Sequence, residues 1–365
     1  MGTHALVIGG TGPTGVPIVR GLVERGWSVT IMHRGEHETD ETPAVVEHLH
    51  RDPYDDEQLR DALAESNFDL VVAMYGRLRR IAELTSGRTS QFVSVGGVPA
   101  YRGWMNPWLE MPLPIPEDAP LVRVPEDDEK GYRIVRTEEA VFAHHPRAAH
   151  FRYPYVYGPR QLVPREWLIV RRVLDGRRRI VVADEGLTLH HHGYTENLAH
   201  AVLLAVDHPD AAAGLVFNAG DEDVLSVRHV IEVVSGALGH EFEIVSMPYE
   251  LATPARPLLA QPLPTHRVLD LTRIKTVLGY RDIVPPRTAL ADTARWLVAH
   301  PPEPGGMEET VLTDPFDYAA EDRLVDAWQR TLATMPSVPF ATAPGYGLAY
   351  SGPGGRARSN EEFDG

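Results

Sequence analysis

The chain contains no cysteine, which excludes disulfides, thiolate metal sites and a cysteine nucleophile, and fits a reducing cytoplasm. No apolar run approaches the length that spans a bilayer, so no membrane partner is expected. The first expected strand begins within a few residues of Met1, which leaves no room for a secretory leader, and the cytoplasm is the expected location. Positive charge is also scarce. A formal net charge of −16 over 365 residues disfavours a nucleic-acid partner, whose phosphates would be repelled. The apolar fraction of 43% is ordinary for a globular protein, and the length suffices for one large domain plus a lobe.

What the chain does have is a run of glycines in an informative place. Ala5-Leu6-Val7-Ile8 passes into Gly9-Gly10-Thr11-Gly12-Pro13-Thr14-Gly15 and then into an amphipathic stretch carrying Val16, Ile18, Val19, Leu22 and Val23. That order reads as strand, tight turn, helix. Gly9 permits the turn, Gly12 lets backbone approach a pyrophosphate, and Gly15 lets the helix pack on the strand. Phosphates would then meet unpaired N–H groups at a positive helix end. Thr11, Pro13 and Thr14 belong to the same candidate cofactor loop.

Strand and helix patterns then alternate as a parallel sheet requires. Strands are expected over residues 27–32, 45–49, 68–73, 91–95 and 148–152, with helices over 56–65 and 131–145. The proline-rich stretch 97–130 reads as a lid or substrate loop. At the end of the second strand, Arg34 in His33-Arg34-Gly35 stands where a 2′-phosphate clamp would be needed, which favours NADP(H) over NAD(H). Asp52 is either an acceptor for the adenine amino group or a turn aspartate before Pro53.

Three groups of residues together carry a resemblance: Gly9-x-x-Gly12-x-x-Gly15, Tyr132 with a basic residue four positions on, and Arg152-Tyr153-Pro154-Tyr155-Val156-Tyr157-Gly158-Pro159. With the later blocks 197–220 and 269–279, they are similar to the short-chain dehydrogenase/reductase superfamily in its extended, epimerase/dehydratase-like form. The resemblance spans about residues 1–300. It implies a Rossmann-type α/β fold with a doubly wound parallel sheet and a smaller C-terminal substrate lobe. The nucleotide-binding domain would occupy 1–155 with returns near 195–225, the lobe mainly 156–300, and a helix with an irregular tail 301–365.

The resemblance also implies a tyrosine acid/base, a lysine four residues later and a serine or threonine after the fifth strand. Tyr132 matches the tyrosine. Arg136 stands in the lysine's place, one helical turn on, and supplies its charge through a bulkier planar fork. Gly97 stands where a hydroxyl donor is usual, and Tyr75, Tyr101 or a hydroxyl of the long loop are candidates to replace it. Tyr75 is also a candidate cofactor contact, and Tyr155 falls where the nicotinamide ring would be covered. The implied function is an NADP(H)-dependent oxidoreductase acting on a small-molecule carbonyl or secondary alcohol, working as a homodimer. A nucleotide-sugar epimerase or dehydratase is one alternative, and a non-catalytic NADP-binding regulator, suggested by Arg136 and Gly97, is another. In His190-His191-His192 alternate side chains share a face, leaving too few ligands on either side for a metal, so no metal is expected and a substrate contact is preferred. Arg171, Arg172 and Arg177 read as a helix end rather than a diphosphate clamp.

Overall fold

Residues 5–8 and 70–73 are uninterrupted apolar runs, and each of these residues is at most 3% exposed. Strands with no polar face must be covered on both sides, which is the condition of a parallel sheet between helix layers. The computed structural model describes residues 3–35, 38–64, 67–74, 76–109 and 111–342. The strands are β1 (His4–Ile8), β2 (Ser28–His33), β3 (Glu47–His50), β4 (Phe68–Met74), β5 (Thr89–Gly97), β6 (Ala149–Tyr153), β7 (Tyr155–Tyr157), β8 (Arg179–Ala183), β9 (His192–Tyr194), β10 (Val216–Asn218) and β11 (Glu243–Met247). Among the described residues seven of them form one sheet in the order β10-β6-β5-β4-β1-β2-β3, with every neighbouring pair parallel. The winding reverses between β1 and β4, so the crevice at their carboxyl ends is where a ligand belongs. Two small parallel pairs, β8 with β11 and β7 with β9, lie outside this sheet.

The helices that matter for the site are α1 (Gly15–Glu24), α2 (Asp56–Ala64), α3 (Leu78–Thr85), α4 (Glu129–His144), α5 (Trp167–Leu174) and α6 (Thr195–Asp207). The sequence pattern gives no helix between the fourth and fifth strands, yet α3 stands there. Its eight residues carry Arg79, Arg80 and Glu83 among the apolar ones. Leu78, Ile81, Ala82 and Thr85 are nevertheless buried at helical spacing, and burial of that narrow stripe decides the conformation. The stretch 97–130 differs from expectation as well. Of the two expected roles, lid or substrate loop, it is packed in rather than raised as a lid: Tyr101, Trp104, Ile115 and Val122 are at most 1% exposed, while Trp104 and Met105 line a cavity. The Ile115 N–H donates to the Val268 carbonyl at 2.7 Å.

Residues Met1–Phe316 make one compact unit and Asp317–Gly365 a second. In the second, a helix over Tyr318–Thr334 starts where Asp317 Oδ1 accepts from the Ala320 N–H at 3.0 Å. Residues 335–342 form no helix or strand, and the rest of the expected tail lies outside the described residues. Among the described residues no helix is long and apolar enough to cross a membrane.

Candidate functional site

The glycine turn folds as its residue types require. Gly9 has φ +93°, a conformation that costs other residues energy. The Gly12 N–H closes the turn on the Gly9 carbonyl at 3.0 Å, and the Gly15 N–H follows on the Gly12 carbonyl at 3.0 Å. A Cβ on Gly15 would overlap the Gly9 carbonyl oxygen and come within 2.8 Å of Gly10 backbone. Helix α1 therefore starts against the end of β1 only because position 15 is bare. No side chain caps that start and no acid sits in its first turn; its Gly15 and Val16 N–H groups already donate to the Gly12 carbonyl, so what it offers an anion is the positive helix end. The Thr14 hydroxyl is 3.5 Å from Met74 Sδ, which fixes the turn to β4.

Two cavities open at the carboxyl ends of the strands, and Gly76 lines both. The smaller, about 200 Å³, is lined by Gly9, Thr11, His33, Arg34, Tyr54 and Arg77. The larger, about 700 Å³, is lined by Gly97, Trp104, Lys130, Tyr153, Tyr155 and Arg165 among others. Gly9, Thr11 and Arg34 thus meet in one compartment and Tyr155 stands in the other, while Gly12, Pro13, Thr14 and Gly15 build the turn and helix start. Tyr75 lies outside the described residues. Asp52 does not line the smaller cavity, which takes Pro53 and Tyr54 instead. Its Oδ1 accepts from the Tyr54 N–H at 2.9 Å, so it serves the turn. That bond supports the turn reading.

Tyr132 and Arg136 do share a helix face, but it is not the face that lines the cleft. From α4 the cleft takes Glu129, Lys130, Arg133, Ile134 and Thr137. Tyr132 packs instead beside Ala100, Val122 and Val135, and Arg136 is exposed and pairs with Glu139 at 2.7 Å. The helix's rotation is set by Gly131, Val135 and Glu138, buried at successive turns. A Cβ on Gly131 would overlap the Pro99 carbonyl oxygen and crowd Val122 at 2.7 Å. That close approach turns the neighbouring stripe, Lys130, Ile134 and Thr137, into the cleft. The assignment of Tyr132 and Arg136 as the cleft's acid/base pair is corrected accordingly.

The hydroxyl usual near Gly97 has no obvious replacement among the described candidates. Ser94 Oγ is buried and 2.8 Å from His150 Nδ1. Tyr101 donates to Asn218 Oδ1 at 2.5 Å, and burial holds its phenol up at about 12. The Tyr153 hydroxyl donates to the Leu198 carbonyl at 3.2 Å, and that of Tyr155 to the Ala260 carbonyl at 2.9 Å. The Arg165 guanidinium lies 4.0 Å over the Tyr155 ring. Lys130, exposed at the mouth of the cleft, brings an ammonium there. Its local sequence does not single it out, because what turns it to the cleft is the close approach of Gly131 to Pro99 and Val122.

His190 and His191 are buried and His192 is half-buried; none of the three lines the cleft, which corrects the expected substrate contact. His191 Nε2 donates to the Asp221 carbonyl at 2.8 Å while Nδ1 accepts from the Leu269 N–H at 3.0 Å, so both nitrogens are satisfied in the neutral ring. Burial brings its pKa down to about 4. Of the arginines between 160 and 179, Arg171 pairs with Asp175 and Glu309, and Arg172 with Asp314. Arg165 is the one of this group that lines the cleft among the described residues.

No protein-family model matches the chain. A Sinorhizobium fredii protein, y4nL, described as uncharacterized, is 29% identical over 168 residues, which cover 40% of this chain. The chain spans about half of that relative's length, 46%. Among solved structures, the UDP-glucose 4-epimerase of Thermotoga maritima is similar at a TM-score of 0.66 and 18% identity, over 82% of this chain and 99% of that one. The Bordetella bronchiseptica enzyme WbmG, solved with NAD, gives 0.64 and 18% over 82% and 95%. The UDP-glucuronic acid 4-epimerase of Bacillus cereus, also solved with NAD, gives 0.63 and 15% over 82% and 99%. The fold is therefore the one these enzymes share.

Proposed function

We propose that the protein is an NADP(H)-dependent oxidoreductase that interconverts a carbonyl and a secondary alcohol on a small molecule. The observation that carries this reading is that two cavities adjoin at Gly76, which lines both, beside the point where the sheet's winding reverses. The smaller compartment suits the adenosine half of a dinucleotide and the larger the nicotinamide half plus substrate. Arg34 and Arg77 line the smaller one, and no carboxylate does among the described residues. Two cations lining such a compartment favour a 2′-phosphate over a bare ribose diol. When bound, the cofactor supplies the hydride. The chain's own residues do the rest: Tyr155, Trp104 and Met105 wall the cleft against water, Arg165 adds charge from the lobe, and Lys130 delivers the proton to the carbonyl oxygen.

Calorimetric titration tests the first half. NADPH should bind the intact chain more tightly than NADH, and Arg34→Glu should weaken NADPH by about 10–100-fold, the worth of a charge-assisted bidentate contact. Absence of heat with either coenzyme overturns the proposal. The second half is tested on a panel of carbonyl compounds and nucleotide sugars. Lys130→Ala should lower kcat by about 10²–10³, and Tyr132→Phe should leave it within about twofold. The reverse pattern would restore Tyr132 as the acid.

Two other readings keep a specific support. The similarity to UDP-sugar epimerases favours a nucleotide sugar, with Arg165 placed for its diphosphate. The outward face of Tyr132 and Arg136 favours a dinucleotide-binding regulator, for which binding without turnover on the panel would be the outcome.

A further inference from the structure

The edge strand of the sheet brings together a group of imidazoles, of which His33 alone also lines the smaller cavity. β2 and β3 run parallel with His33 opposite His50 and Ile31 opposite His48. Alternate residues of a strand share a face, so His48, His50 and His33 project to the same side of the sheet edge. Glu38 reaches the same point from the connection after β2. The His33 Nε2 and His48 Nδ1 atoms are 2.9 Å apart, and His50 Nε2 is 2.7 Å from Glu38 Oε1. That carboxylate oxygen is also 3.7 Å from His48 Nδ1 and 3.9 Å from His33 Nε2. All four ligand atoms lie within 4.8 Å of one another.

We propose that His33, His48, His50 and Glu38 form a binding site for one divalent late transition-metal ion of the zinc class. Four ligands about 2.0–2.1 Å from a tetrahedral ion stand roughly 3.3 Å from each other, and the observed separations bracket that value. Three imidazoles and a carboxylate are a borderline donor set, suited to zinc, cobalt or nickel and poor for magnesium or calcium. His50 and Glu38 are 57% and 47% exposed, so an ion can reach the site from solvent. The ligands must be unprotonated.

Binding exchanges contacts that the group now makes within itself. The His33–His48 and His50–Glu38 hydrogen bonds would be replaced by bonds to the ion. His33 Nδ1 now accepts from the Gly35 N–H at 3.0 Å, which places that ring's proton on Nε2. For Nε2 to ligate, the proton moves to Nδ1 and the Gly35 amide turns away. Gly35 has φ +87°, and a glycine makes that peptide rotation inexpensive. His48, His50 and Glu38 can ligate without it. The site does not depend on the function proposed above, and its test reads metal alone.

The experiment uses the full chain without an affinity tag, stripped with chelator and titrated with Co²⁺ and then Zn²⁺. The expected result is a visible ligand-field absorption of a tetrahedral cobalt centre, saturating near one ion per chain and displaced by zinc. His48→Ala/His50→Ala should abolish the band and weaken zinc at least 100-fold by competition with a chelating dye. The single variant His50→Gln, at the most exposed ligand, should lose about 10-fold, and circular dichroism shows that it is folded. An intact chain that gives no saturable band overturns the proposal. So does a folded double variant that binds as the unaltered chain does.

Discussion

Glu138→Ala should destabilise the protein by about 3–5 kcal/mol, a large share of the net stability of an ordinary domain. Glu138 takes two hydrogen bonds from Arg152, at 2.7 and 3.0 Å, and the guanidinium is 2% exposed. Arg152 also donates to the Glu117 carbonyl at 2.9 Å and lies 4.7 Å over the Tyr101 ring. Removing the carboxylate leaves a buried cation with a carbonyl and a ring, which cannot replace a counter-charge. Burial pushes the Glu138 carboxyl up, but the Arg152 hydrogen bonds outweigh it, and the net direction is below the usual carboxylate range. The pair's stabilisation is therefore present above the ordinary carboxylate pKa and is lost as acid takes the pH down through the folded-state value. Urea unfolding of Glu138→Ala, Arg152→Met and the double variant Glu138→Leu/Arg152→Met forms the check. The double variant should cost clearly less than the two single losses added, because neither charge is then stranded. Additive losses would show that packing, not charge, carries the effect.

That pair also explains why one part of the site was legible in the sequence and another was not. The glycine turn and the strands are local: residues 5–15 contain the apolar run, the positive-φ glycine and the bare helix start, so turn chemistry and periodicity suffice. Arg34 follows its strand directly and reaches the smaller cavity for the same reason. The rotation of α4 is not local. A four-residue spacing tells that Tyr132 and Arg136 share a face, but which face meets the cleft depends on Gly131 against Pro99 and on Glu138 finding Arg152, contacts made across 14 residues and more. The histidine group illustrates the same point through register. His48-x-His50 on a strand is a visible signal, but His33 joins it only because β2 and β3 pair in one particular alignment. Asp52 had two readings in the sequence, and its bond to the Tyr54 N–H selects the turn.

The polar chemistry of the cleft follows from that rotation. With Ile134 rather than a cation at the position one turn after Lys130, no second positive charge on this helix lies beside Lys130 at that spacing. Arg133, one residue before Ile134, lines the cleft but pairs with Glu129.

Gly15→Ala should abolish dinucleotide binding, with at least a 100-fold loss of NADPH affinity, roughly 3 kcal/mol. The added methyl would occupy the space of the Gly9 carbonyl oxygen and crowd Gly10. Both obstacles are backbone, so no side chain can swing aside. Relief requires α1 to lift from the end of β1, which moves the positive helix end and the turn before it away from the phosphates. Gly12→Ala is the graded companion: its Cβ would stand 3.3 Å from the Gly9 carbonyl, a contact a few tenths of an ångström of movement relieves, so a smaller loss is expected. Gly236→Ala supplies the control. It lies within the helix Val227–Ala237 with nothing inside 4 Å of a new Cβ, and alanine there should stabilise by up to about 1 kcal/mol while leaving affinity unchanged. Calorimetry on the three variants, each checked for a cooperative melt, ranks them. A folded Gly15→Ala chain that binds NADPH within threefold of the unaltered protein would show that the phosphates are held somewhere other than this turn.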